Sequence, residues 1–158
     1  MKPSYFISAP FGNYIKPAGC ISVTGTWTLK PRGNRFWAVA KTLRYSKEVG
    51  GWTNKLGLPN PGIKVGLQKT NRENEVLSIA EVKRGDFYEL EKIIPQDQSL
   101  ELNLSCPNIE KVFSWEGASV FTKNVPTSSK RTWCVAKLSP LTTPEELQFI
   151  IEELGFTQ

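Results

Sequence analysis

The 158-residue chain has no histidine and only three cysteines, and together these remove several kinds of chemistry. Without an imidazole there is no serine/histidine or cysteine/histidine pair to activate a nucleophile. Cys20, Cys106 and Cys134 stand far apart and match no zinc spacing, so a cysteine/histidine metal centre is not expected either. No run of about 18 apolar residues could span a bilayer. The opening MKPSYFISAPFGNY lacks the continuous apolar core of a secretory signal. These absences predict a soluble, reduced, cytoplasmic protein with no membrane partner.

What is present suffices for a packed core. At 39% apolar residues the chain can bury one without disulfides or a structural metal, and no linker, repeat or low-complexity tract divides it. A single domain over residues 1–158 is expected. The net charge of +5 and the five tryptophans would permit nucleic-acid contact. The basic residues, among them Lys30, Arg32, Arg35, Lys41, Arg44 and Lys47, are instead scattered and interleaved with acids, the pattern of a solvated surface.

A strand followed by a helix occurs twice. The aliphatic run EVLSIAE at positions 75–81 precedes a helix start at Asp86, where Glu89 three residues on reads as a capping box. Phe87, Leu90, Ile93 and Ile94 then form one face before Pro95 stops the helix. The second unit pairs WCVAKLS at 133–139 with a helix whose N-cap is Thr143, with Pro144 at its first position and Glu146 closing a capping box. Its apolar stripe is Leu147, Ile150, Ile151 and Leu154, and Gly155 ends it. Between the units SLELNLS at 99–105 alternates leucine with polar residues, as a strand does. Further strands are expected at 20–28 and at 36–41, the latter alternatively a hairpin. Strands alternating with helices predict a parallel sheet of the α/β class.

In a parallel β/α barrel the functional residues gather at the carboxyl ends of the strands. The leucines of SLELNLS would face the helices, leaving Asn103 and Ser105 inward, with Cys106, Pro107 and Asn108 at the strand's end. In WCVAKLS the same alternation sends Lys137 inward. A lysine in an apolar strand is costly unless it meets an anion or acceptor, or reaches the rim and snorkels into water; both remain open.

Here the motifs become specific. The eight-residue run ELNLSCPN at 101–108 resembles the signature of the dihydroorotate dehydrogenases, and NKLGLPN at 54–60 with Gly62 resembles that family's substrate-side loop. SIA at 78–80 and VAKLSP at 135–140 are similar to the strands beside them, in family order, and Gly25-Thr26-Trp27-Thr28 with Gly33-Asn34 resembles the second strand and its loop. Taken singly, Gly57, Pro59, Asn60 and Gly62 are ordinary turn residues and a lone cysteine is a small buried hydrophobe.

The resemblance implies the amino-terminal half of a (β/α) TIM barrel that binds FMN and oxidises dihydroorotate to orotate in pyrimidine biosynthesis. It implies Cys106 as the base that removes the C5 proton, a role for which a thiol needs modest help near neutral pH. It implies substrate contacts from Asn54, Gly57, Leu58, Asn103 and Asn108, whose amides offer both donors and acceptors. Cofactor contacts would come from Gly25, Thr26, Asn103 and Lys137. The cysteine looks like the soluble class 1 enzymes, whereas Gly25 and Thr26 look like the membrane-associated class.

Departures accompany the matches. The family is about twice as long, in keeping with the roughly 250 residues of a full barrel, so the loops expected to hold the FMN phosphate lie outside the matched portion. Thr24 stands where class 1 members carry an active-site lysine, with Lys16 a possible substitute. An open half-barrel would expose apolar strand edges, which predicts a second half-barrel polypeptide or a homo-oligomer as partner. The competing expectation is a non-catalytic remnant or binding module.

Overall fold

The computed structural model describes residues 5–8, 11–105, 115–122 and 131–156. Five parallel strands form one sheet: β1 (Tyr5–Ile7), β2 (Cys20–Val23), β5 (Glu75–Ile79), β6 (Leu100–Asn103) and β7 (Cys134–Lys137). Each pairs with the next in that order, in parallel register throughout. A doubly wound sheet would reverse direction at a switch point. The unreversed order here belongs to a curled, partial (β/α) barrel.

The two faces of the sheet separate as strand alternation requires. Leu77, Ile79, Leu100 and Leu102 are fully buried on the helix-facing side, where Phe87 and Leu90 of α3 (Asp86–Ile93) and Ile150 of α5 (Pro144–Glu152) cover them. Phe87 meets Phe121 edge to face at 5.7 Å, beside the short helix α4 (Trp115–Ser119). Cys134 and Ala136 of β7 pack against the same cluster. Burial raises the Cys134 thiol above its ordinary pKa, an effect the neighbouring Arg131 guanidinium opposes, and burial in turn lowers Arg131.

Several expectations needed revision. Residues 36–41 are not a strand: they lie in helix α1 (Arg35–Thr42), because the Asn34 side chain accepts from the Phe36 N–H at 2.8 Å and caps its start. The hairpin comes next, as β3 (Arg44–Ser46) against β4 (Gly51–Thr53). The β2 strand stops at Val23, and the chain regains the sheet through a parallel bridge between Trp27 and Ile79. Helix α2 (Ile63–Lys69) is an element beyond those expected, and it starts at Gly62 without a side-chain cap.

Asp86 is not a capping residue. Gly85, at φ 95°, occupies the N-cap, and the Asp86 carboxylate instead accepts from the N–H groups of Val82 and Lys83 at 3.1 and 2.9 Å. The Thr143–Glu146 capping box is present with Pro144 inside it, as expected. Both helical stripes are narrower than periodicity suggested: Ile94, Ile150 and Leu154 are buried, whereas Ile93, Leu147 and Ile151 face solvent.

Candidate functional site

The loops after β2 and β4 and the inner faces of β6 and β7 enclose a cleft of about 970 Å³. Ligand sites of small molecules fall in this size range. Gly25, Thr26, Asn54, Gly57, Leu58, Asn103 and Lys137 all line it. The structure therefore gathers these predicted residues in one place, from segments scattered over the chain. Cys106 and Asn108 lie outside the described residues.

A directed hydrogen-bond chain runs from the cleft lining at Thr26 and Asn103 into the sheet behind it. Glu101, 7% exposed, accepts from Ser78 Oγ at 2.7 Å. Ser78 has a single hydroxyl proton, so at 2.9 Å it must accept from Thr26 Oγ1. Thr26 in turn accepts from Asn103 Nδ2 at 2.9 Å, which leaves Asn103 Oδ1 to take the Ser105 hydroxyl at 3.2 Å. Lys137 closes the arrangement with its ammonium 3.4 Å from the same Glu101 oxygen. That resolves the choice left open for the lysine: it points inward and is paired, though its side chain keeps 35% exposure at the mouth.

The rim is built on backbone that only certain residues tolerate. Gly57 and Leu58 both take left-handed conformations, at φ 61° and 58°. For leucine this costs roughly 1–2 kcal/mol, so the surroundings must hold it. Asn60 does so. Buried to 6% exposure, it donates from Nδ2 to the Leu58 carbonyl at 2.8 Å and to Thr28 Oγ1 at 2.9 Å, and accepts from the Gly62 N–H at 2.8 Å. Arg32 Nε adds a bond to the Gly57 carbonyl at 3.0 Å. Beside Pro59 and Pro61, Asn60 has the local chemistry of a turn residue; its hub role depends on Thr28, 32 positions away. At the opposite wall the Gly25 N–H donates to Asn13 Oδ1 at 2.8 Å, and a Cβ on Gly25 would lie 2.6 Å from Asn13 Nδ2. Lys16 lines the cleft as well, ion-paired with Glu75.

Asn103 of β6 and Lys137 of β7 bring an amide and an ammonium to the cleft lining. Among the described residues no group of histidine, cysteine and acidic side chains could hold a metal ion.

Fold and cleft together define a partial parallel β/α barrel with its polar groups at the strand carboxyl ends. No family model matches the chain. Among curated proteins it is 32% identical over 146 residues to the dihydroorotate dehydrogenase B (NAD(+)) catalytic subunit of Endomicrobium trichonymphae, covering 85% of this chain and 44% of that protein. The like-named subunits of Bacteroides thetaiotaomicron and Porphyromonas gingivalis are 30% and 28% identical over 92% and 89% of the chain. The chain is a relative of the dihydroorotate dehydrogenase family, and it spans about half the length of these relatives.

Proposed function

We propose that this chain is the substrate-side half of a dihydroorotate dehydrogenase-like flavin oxidoreductase. The observation that carries the reading is the convergence of Thr26, Asn103 and Lys137, from three separate strands or loops, on one cleft beside the Gly57–Leu58 loop. FMN, when bound, supplies the hydride acceptor. Lys137 and Asn103 would hold its ring edge, with Thr26 fixing the Asn103 amide. Asn54 and the backbone of Gly57 and Leu58 would orient dihydroorotate, and Cys106 would take the C5 proton as hydride leaves C6. No helix of the described residues is long and apolar enough to cross a membrane.

A second polypeptide or a second copy fits the same reading. The β7 strand pairs only with β6 among the described residues, and Leu141, Leu147 and Ile151 leave an apolar surface exposed nearby. An open strand edge is a template on which another chain can pair.

One observation favours the alternative of a non-catalytic module: Thr26, Ser78, Glu101 and Asn103 already bond to one another, so this chain of bonds forms without flavin. An anaerobic flavin spectrum of the chain with FMN, before and after dihydroorotate, separates the two. Substrate-dependent bleaching of bound flavin that disappears in Cys106→Ala is the expected result. Absence of flavin uptake, alone and with a polypeptide carrying the remaining barrel strands supplied in trans, would refute the proposal.

A further inference from the structure

Glu101 is the least expected group beneath the cleft, behind the lining residues Asn103 and Lys137. It is a nearly buried carboxylate in a sheet interior, a position that carboxylates occupy only when paired. Its two partners among the described residues differ in kind. Ser78 gives it a neutral hydroxyl at 2.7 Å, and Lys137 gives it a charge at 3.4 Å, both on Oε1. A carboxylate has no proton to give, so it imposes direction on everything upstream. Ser78 must donate to it, Thr26 must donate to Ser78, and Thr26 is left only to accept from Asn103 Nδ2. The carboxylate therefore sets which end of the Asn103 amide faces Thr26, through two hydroxyls.

We propose that Glu101 is the positioning residue of the cleft, holding the Lys137 ammonium inward and fixing the orientation of the Asn103 amide through Ser78 and Thr26. The proposal rests on the reading above for the ligand these two side chains would meet, but not for the geometry. Without Glu101, Lys137 is a long side chain at an open mouth and swings to water. Without the anionic acceptor, Ser78 and Thr26 are free to reverse their hydrogen bonds, and the Asn103 amide loses its fixed sense.

Lysine labelling tests this without flavin. The intact chain is treated with limiting amine reagent at fixed pH, and peptide mass spectrometry gives the rate at Lys137 relative to Lys92, which pairs with Glu89 on the surface. Glu101→Gln is expected to raise that ratio about two- to fivefold, the release of a partly exposed ion pair. Glu101→Asp should return most of the protection. Added salt should accelerate Lys137 in the wild type and leave it unchanged in Glu101→Gln. If Glu101→Gln fails to fold, Ser78→Ala keeps the carboxylate but removes its anchor, and a smaller rise is expected. An unchanged ratio in either folded variant overturns the proposal. FMN titration of the same proteins reads the Asn103 arm: weakened uptake in Glu101→Gln, restored in Glu101→Asp, supports it, and equal uptake in both refutes that arm. A wild-type chain that takes up no FMN counts against the proposed function alone, because the labelling ratio is read without it.

Discussion

Replacing Gly66 by alanine sets two known magnitudes against each other at a point that positions the cleft. Gly66 lies inside α2, where alanine is worth about 1 kcal/mol over glycine in helix propensity. Its hydrogen side faces the Trp27 indole: a Cβ built there lies 2.7 Å from Cδ2, 2.8 Å from Cγ and 3.0 Å from Cε2. Carbon atoms do not approach so closely, and the indole cannot simply swing away. Its Nε1–H is bonded to Thr24 Oγ1 at 3.1 Å, and its backbone is tied to β5 and the residue that follows it, to the Ser78 carbonyl at 2.8 Å and the Ala80 N–H at 3.0 Å. Forcing atoms into a packed core costs roughly 1–3 kcal/mol, so Gly66→Ala is expected to lose up to about 2 kcal/mol net despite the better helix former. In a Trp27→Ala background the clash is gone, and the same substitution should gain about 1 kcal/mol. Urea unfolding of the four proteins, followed by far-ultraviolet circular dichroism in one stabilising osmolyte, measures the coupling. A gain of about 1 kcal/mol in both backgrounds would refute the packing argument.

Other perturbations have equally definite outcomes. Leu102→Ala, at a fully buried position on the helix-facing side of β6, should cost about 2–5 kcal/mol in urea unfolding. Thr143→Ala removes the capping box of α5 while Pro144 stays in place, and should lower stability by about 1 kcal/mol in the same assay. Asn60→Ala leaves the Gly62 N–H and the Leu58 carbonyl without their buried partner and should cost about 1–3 kcal/mol, with faster proteolysis of the 54–62 loop. For Cys134 the raised pKa means that the folded state keeps the thiol proton at pH values where the unfolded chain has released it. Stability should therefore fall as pH rises above about 9, and Cys134→Ala should flatten that alkaline arm.

Much of the fold is written in short stretches of the chain. The strands at 75–79, 100–103 and 134–137 follow from alternating or continuous aliphatic residues, and the start of α5 from Thr143, Pro144 and Glu146 within four positions. Such features depend on neighbours a few residues apart, so local chemistry suffices. Where the same chemistry was ambiguous, it misled. FWAVAK reads as a strand or hairpin until the Asn34 cap is seen, and Asp86 looks like an N-cap until its carboxylate is found on the preceding turn.

The sequence by itself determined the parallel α/β class, the inward alternation of Asn103 and Lys137, and, through ELNLSCPN and NKLGLPN, the family relationship. Tertiary structure alone decided what those side chains touch. The contacts that order the cleft join residues far apart: 77 positions between Asn103 and Thr26, 52 between Thr26 and Ser78, and 23 between Ser78 and Glu101. The alternation of a strand fixes which face a residue takes, but the partner across the sheet is chosen by register. Only the parallel pairing of β5, β6 and β7 brings Ser78 beside Glu101 and lets one carboxylate hold both a serine and a lysine.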